Sequence, residues 1–178
     1  VDITECDDTF YTEDELKALA EVFERHPHIY IISDEIYEHI NFVGHHYSIA
    51  QFPDVFDQIV TVNGVSKAWA MTGWRVGYIG APKNIADACN KIQGQFTSGA
   101  NSITQRAAIT ALKADPSVLS PMQEAFLKRR NLLISLMKEV PHIKVNNPGG
   151  AFYLFPEVSY YFGKKHGETI IKDAKELC

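Results

Sequence analysis

Between Thr12 and Arg25 the apolar residues Leu16, Leu19, Val22 and Phe23 share one helical face, while Lys17, Glu21 and Glu24 take the other, which predicts an amphipathic helix. Thr12-Glu13-Asp14-Glu15 reads as the capping box that opens it. Residues 29–32 and 58–62 are short, continuously apolar runs, the pattern of strands buried on both faces of a parallel sheet. Residues 75–81 predict a third strand. Pro82 then begins a helix through about Gln95 that closes near Gly94 and Gly99, and residues 102–113 form another. From 117 to 140 the positions Met122, Phe126, Leu133, Leu136 and Met137 recur at helical spacing, predicting an element long enough to bridge domains.

The texture changes after Pro141. A short strand at 143–145, a turn at Asn147-Pro148-Gly149-Gly150, a strand at 151–155 and a helical segment at 168–178 are predicted. The fold class is therefore α/β: a mostly parallel sheet with helices on both faces over residues 1–120, then a bridging helix and the start of a small α+β domain over residues 121–178.

At 178 residues, 46% of them hydrophobic and 22% charged, the chain has the composition of a folded globular protein. A net charge of −5, with no basic cluster larger than Lys128-Arg129-Arg130, argues against nucleic acid as a partner. No apolar run approaches the roughly 20 residues that span a bilayer, so no membrane partner is expected and the cytoplasm is the default location. Cys6, Cys89 and Cys178 form no metal-binding or disulfide spacing, and His26, His28, His45 and His46 read as surface residues.

The candidate chemistry lies after the two apolar runs. Asp34 follows the first, with Tyr37 three residues on; Lys67 follows the second, with Ser66 before it and Arg75 eight residues beyond. In open α/β sheets ligands bind outside the carboxyl ends of parallel strands, so these groups are expected to share a cleft. An amine and a guanidinium suit a phosphorylated aldehyde, and the set reads as most of a pyridoxal 5′-phosphate site. Lys67 would form the resting imine and, once displaced by substrate, move a proton at the α-carbon. Asp34 would keep the ring nitrogen protonated, Tyr37 would donate to the phenolic oxygen, and Arg75, with Ser66 as a weaker candidate, would hold the phosphate. Singly, each has an ordinary reading as loop amine, helix cap, core ring or surface cation; their joint order carries the weight.

Residues 64–77, Gly-Val-Ser-Lys-Ala-Trp-Ala-Met-Thr-Gly-Trp-Arg-Val-Gly, resemble the lysine-attachment signature of class I aminotransferases, and Asp34-Glu35-Ile36-Tyr37 resembles that family's Asp-x-x-Tyr element. The stretch 12–155, including Pro148-Gly149-Gly150-Ala151-Phe152-Tyr153, resembles the bacterial aspartate aminotransferase branch of the fold-type I pyridoxal phosphate enzymes. The resemblance implies amino transfer between an amino acid, with aspartate foremost, and a 2-oxo acid, on a homodimer whose interface includes the loop 98–102. It implies that residues 1–120 are part of the cofactor-binding large domain and that residues 121–178 open the small domain.

The sequence also departs from the family. Asp2-Ile3-Thr4-Glu5-Cys6-Asp7-Asp8 stands where members carry Asn-Pro-x-Asn-Pro-x-Gly, and Gly64 stands where many carry a phosphate-binding serine. The family's glycine-rich phosphate loop, its ring-stacking aromatic and its carboxylate-binding arginine have no counterpart. The chain is thus expected to be an incomplete portion, inactive alone. Two other readings keep the same residues: a carbon–sulfur lyase of this fold, or a non-catalytic remnant. A nucleotide-binding role for Gly77-Tyr78-Ile79-Gly80 fails, because no G-x-G-x-x-G is present.

Overall fold

A computed structural model of the chain describes residues 2–4 and 10–177. The predicted capping box forms: the Glu15 N–H donates to the Thr12 hydroxyl at 3.3 Å, and the Thr12 N–H donates to the Glu15 carboxylate at 2.8 Å. Helix α1 (Glu13–Glu24) then buries Leu16, Ala20 and Phe23 against Ile31, Ile49, Val55 and Ile59. Val22, predicted for that face, is exposed, and Ala20 takes its place.

Four strands make the main sheet in the order β1 (Asp2–Thr4), β2 (Ile31–Asp34), β3 (Ile59–Gly64) and β4 (Gly77–Gly80). The pairs β1–β2 and β2–β3 are parallel, whereas β3–β4 is antiparallel. The reversal follows from the connection. A parallel return needs a crossover, usually a helix, but residues 65–76 fold into turns, including the 3-10 turn Thr72–Trp74, and re-enter the sheet at the end they left.

Strand β2 starts two residues later than the apolar run suggested, because the Ile29 N–H is tied to the His26 carbonyl at 3.0 Å in the turn after α1. The expectation of burial on both faces is met at Ile59 and Val60 of β3, but in β2 it holds for one face only. Ile31 and Ser33 are buried on the α1 side, while Ile32 on the other face is 45% exposed. Helix α2 (Lys83–Phe96) buries none of its residues, and Gly94 lies inside it.

Helix α3 (Ser102–Lys113) is capped by the Asn101 side chain, which accepts from the N–H groups of Ile103 and Thr104. It buries Ala108 and Ala111 against Val65, beside Trp69, Met71 and Val76. A 3-10 turn, Pro116–Leu119, leads into α4 (Ser120–Glu139), so the long predicted helix is present with its first turn tightened. Met122 and Phe126 of α4 pack on a cluster formed by Tyr37, Ile40 and Ala151.

The predicted strands at 143–145 and 151–155 do not form. Single bridges join Lys144 to Glu157 and Asn41 to Gly150, and Ala151 takes a left-handed φ of 55°, which interrupts extended pairing. A small hairpin, β5 (Lys165–His166) with β6 (Thr169–Ile170), takes the start of the helix expected at 168–178, which is reduced to α5 (Ala174–Leu177). Cys89 is exposed; Cys6 and Cys178 lie outside the described residues. No helix among the described residues is long and apolar enough to cross a membrane.

Candidate active site

Strands β2 and β3 run in the same direction, so their carboxyl ends open on one edge of the sheet. Asp34 is the last residue of β2, paired in register with Val62 of β3. Lys67 lies three residues past the end of β3, in a turn closed by the Ala70 N–H donating to the Lys67 carbonyl at 3.2 Å. Asp34, Tyr37, Ser66, Lys67 and Arg75 line a single cleft of about 440 Å³, together with Asn63, Gly64 and Val76. That volume lies within the usual range for small-ligand sites. A cleft of similar size beside Phe10, Tyr11 and Val43 contains none of the five groups.

Asp34 serves its turn as well as the cleft: its Oδ1 accepts the Ile36 N–H at 3.2 Å, a bond that does not engage Oδ2. Tyr37 is 2% exposed. Its ring meets Phe152 edge-on at 5.3 Å, and its hydroxyl lies 2.5 Å from the hydroxyl of Tyr153. The Lys67 ammonium is 5.9 Å from the Tyr37 ring centre and 5.4 Å from that of Phe152, within cation–π range of both. The backbone of Arg75 is left-handed at φ 52°, and its Nη1 donates to the Thr72 carbonyl at 3.0 Å. A non-glycine residue in that region costs on the order of 1 kcal/mol, strain of a kind that collects at ligand sites.

Gly64, the departure from a serine, has a packing cause. A Cβ there would lie 3.2 Å from the Gly77 Cα, 3.2 Å from the Val76 carbonyl oxygen and 3.3 Å from the Ile36 side chain. The close approach of β3 and β4 at the floor of the cleft leaves little room for a side chain.

Behind the cleft lies a polar cluster that sequence reasoning missed. Glu35, 5% exposed, accepts from the hydroxyls of Ser33 at 3.0 Å and Ser48 at 2.6 Å, and its Oε2 is 3.1 Å from His46 Nε2. His46 is therefore largely buried and partnered, not a surface residue, whereas His26, His28 and His45 are exposed as expected. Nearby, burial pushes the Glu38 carboxyl up, but hydrogen bonding and charge from His39, with help from Asn63 and His46, outweigh it and hold the carboxyl below its ordinary value. Tyr78 is pushed up by burial and by the Glu38 charge.

Phe152 and Tyr153 were visible in the sequence only as part of a shared motif, with no role attached. An aromatic pair directly after a Gly-Gly turn was the available signal. Two backbone bonds bring it to the cleft: the Phe42 N–H donates to the Gly149 carbonyl at 2.7 Å, and the Ala151 N–H donates to the Ile40 carbonyl at 2.8 Å.

Residues 8–177 match the family described as aminotransferase class I and II. A bifunctional aspartate aminotransferase and glutamate/aspartate-prephenate aminotransferase from Petunia hybrida is 47% identical over 92% of this chain and 35% of its own length. An aspartate/prephenate aminotransferase from Cereibacter sphaeroides is 44% identical over 86% of this chain and 39% of its own. The crystal structure of an aspartate aminotransferase from Rhizobium meliloti superposes with a TM-score of 0.93 at 35% identity, covering 100% of this chain and 46% of that one. The chain thus spans less than half the length of these relatives and covers a portion of the fold-type I large domain. The match over residues 8–177, together with an acid, a phenol, an amine and a guanidinium gathered at one sheet edge, places the chain in the class I and II aminotransferase family.

Proposed function

We propose that the cleft holds pyridoxal 5′-phosphate through Lys67 and that the chain is the cofactor-anchoring portion of an aminotransferase acting on aspartate or a related amino acid and a 2-oxo acid. The observation that carries this reading is the convergence of Asp34, Tyr37, Lys67 and Arg75 on one cleft. The donor set fits the group. A basic ring nitrogen, a phenolic oxygen, an aldehyde and a phosphate call for an acid, a hydroxyl donor, an amine and a guanidinium.

The cofactor supplies an aldehyde that joins an amine and a ring that takes up electrons released at the α-carbon of an amino acid. Lys67 provides the amine, and the Tyr37 and Phe152 rings, 5.9 Å and 5.4 Å from its nitrogen, hold it at the cleft. Asp34 holds a proton on the ring nitrogen through the oxygen that Ile36 does not use. Tyr37 donates to the phenolic oxygen. Arg75 offers its planar fork to the phosphate, and Ser66 adds a hydroxyl from the turn before Lys67.

Among the described residues lining the cleft, Arg75 carries the guanidinium and Lys67 the amine. With those two committed to phosphate and aldehyde, the substrate α-carboxylate needs a further cation. The chain is accordingly expected to bind the cofactor but to turn over slowly or not at all. The relatives are aminotransferases, which favours amino transfer over carbon–sulfur lysis, and the intact constellation of four groups speaks against a non-catalytic remnant.

The same reading assigns residues 121–178 to the start of the small domain and makes the protein a homodimer. Exposed Ile92 and Phe96 of α2 and Ile103 of α3 flank the loop 98–102, a surface suited to a second copy.

Titration of the purified chain with pyridoxal 5′-phosphate, followed by visible absorbance, tests the proposal. A saturable band in wild type that is lost in Lys67→Ala supports it. An identical response in both proteins overturns it.

A further inference from the structure

Tyr153 belongs to no group the cleft needs for anchoring, yet its hydroxyl lies 2.5 Å from that of Tyr37, a short contact for two phenols. Its placement is built in. The Asn41–Gly150 bridge and the Ala151-to-Ile40 hydrogen bond fix the segment before Tyr153 against the loop after Tyr37. A Cβ on Gly150 would collide with Phe10 and with the Ile40 carbonyl oxygen, so the close approach admits glycine alone. The two rings also meet edge to face at 5.6 Å.

We infer that Tyr153 is a positioning residue for Tyr37: its phenol donates to the Tyr37 oxygen, fixing that hydroxyl and making it a stronger donor toward the cleft. A phenol that accepts a hydrogen bond better tolerates negative charge on its own oxygen, so its proton is more acidic and its donation stronger. The relay then runs from Tyr153 through Tyr37 to whatever oxygen the cleft presents. The inference rests on the proposed attachment at Lys67 for its functional meaning, and on the Tyr37–Tyr153 geometry for its existence. Lys67, from the turn after β3, faces the Tyr37 ring; Asp34 at the end of β2 and Arg75 before β4 line the same cleft, and Arg129 and Arg130 of α4 line a second cavity with Tyr153.

The test uses the full chain labelled with ¹³Cζ-tyrosine, the Tyr37 resonance being assigned with Tyr37→Phe. In Tyr153→Phe the Tyr37 resonance at neutral pH is expected to move, because its oxygen loses the hydrogen bond from Tyr153. Tyr153→His, which keeps a donor, should reverse part of that movement. A Tyr37 resonance identical in wild type and Tyr153→Phe would overturn the inference, whatever the cofactor does. In the cofactor-loaded chain, the pH midpoint of the visible absorbance is expected to rise in Tyr153→Phe, because a weaker donor leaves more charge on the phenolic oxygen. An unchanged midpoint there would contradict the relay. A wild-type chain that shows no absorbance band would count against attachment at Lys67 alone and leave the Tyr37 resonance to decide the role of Tyr153.

Discussion

Gly150 stands so close to Phe10 that a Cβ on the glycine would lie 1.7 Å from the ring's Cε2 and 2.6 Å from the Ile40 carbonyl oxygen. Neither neighbour can yield cheaply, because Phe10 packs on the Tyr37–Ile40–Ala151 cluster and Ile40 is held by the Ala151 N–H. Gly150→Ala is therefore expected to destabilise the fold by about 2–3 kcal/mol, the usual cost of forcing volume into a packed site. Denaturant midpoints of the two proteins check this, and equal midpoints would show that the segment 148–153 is not packed as described.

Glu35 anchors the end of β2 from behind. Its carboxylate takes the hydroxyls of Ser33 and Ser48 and sits beside His46, all away from bulk water. Glu35→Ala strands these polar groups and is expected to cost about 3 kcal/mol in chemical denaturation. Glu35→Gln keeps the volume and an acceptor oxygen and should cost less. A change below about 0.5 kcal/mol in Glu35→Ala, the range of ordinary surface substitutions, would argue against a buried network.

Glu38 gives the fold a pH dependence whose sign is fixed by its environment. The folded-state carboxyl is held below its ordinary value of 4.5, so this group adds stability above that pH and loses it as the pH falls through the lower, folded value. Wild type is expected to exceed Glu38→Gln in stability at neutral pH, with the gap closing on acidification below 4.5. Paired denaturation curves at neutral and acid pH provide the measurement, and a gap that widened in acid would reverse the assignment.

Arg75 is expected to discriminate the phosphate. Arg75→Ala should weaken binding of pyridoxal 5′-phosphate by roughly 10- to 100-fold, the range for one charge-assisted contact, while leaving the weaker binding of pyridoxal nearly unchanged. Equal losses for both ligands in a binding titration would place the guanidinium elsewhere.

The helices and the gathering of Asp34, Tyr37, Lys67 and Arg75 at one sheet edge were largely legible because their signals are local. The capping box at Thr12 and Glu15 and the order Asp34, Tyr37, Lys67, Arg75 depend on neighbours in sequence, and they survive folding as read. What was not legible depends on contacts made at a distance. The apolar run 29–32 could not reveal that Ile29 is held in a turn by His26, nor that one face of the sheet stays open at Ile32. The 151–155 segment has strand composition, but the approach of Gly150 to Phe10 and the left-handed Ala151 override it. His46 reads as a surface residue until Glu35, eleven positions away, is brought beside it.

The central claim is that Lys67 is the attachment point of the cofactor. The most direct measurement is to mix the chain with pyridoxal 5′-phosphate, reduce with borohydride and map the adduct by peptide mass spectrometry, with Lys67→Ala as the control. A pyridoxyl group confined to Lys67 and absent from the variant is expected. Labelling scattered over surface lysines, and equal in both proteins, would contradict it.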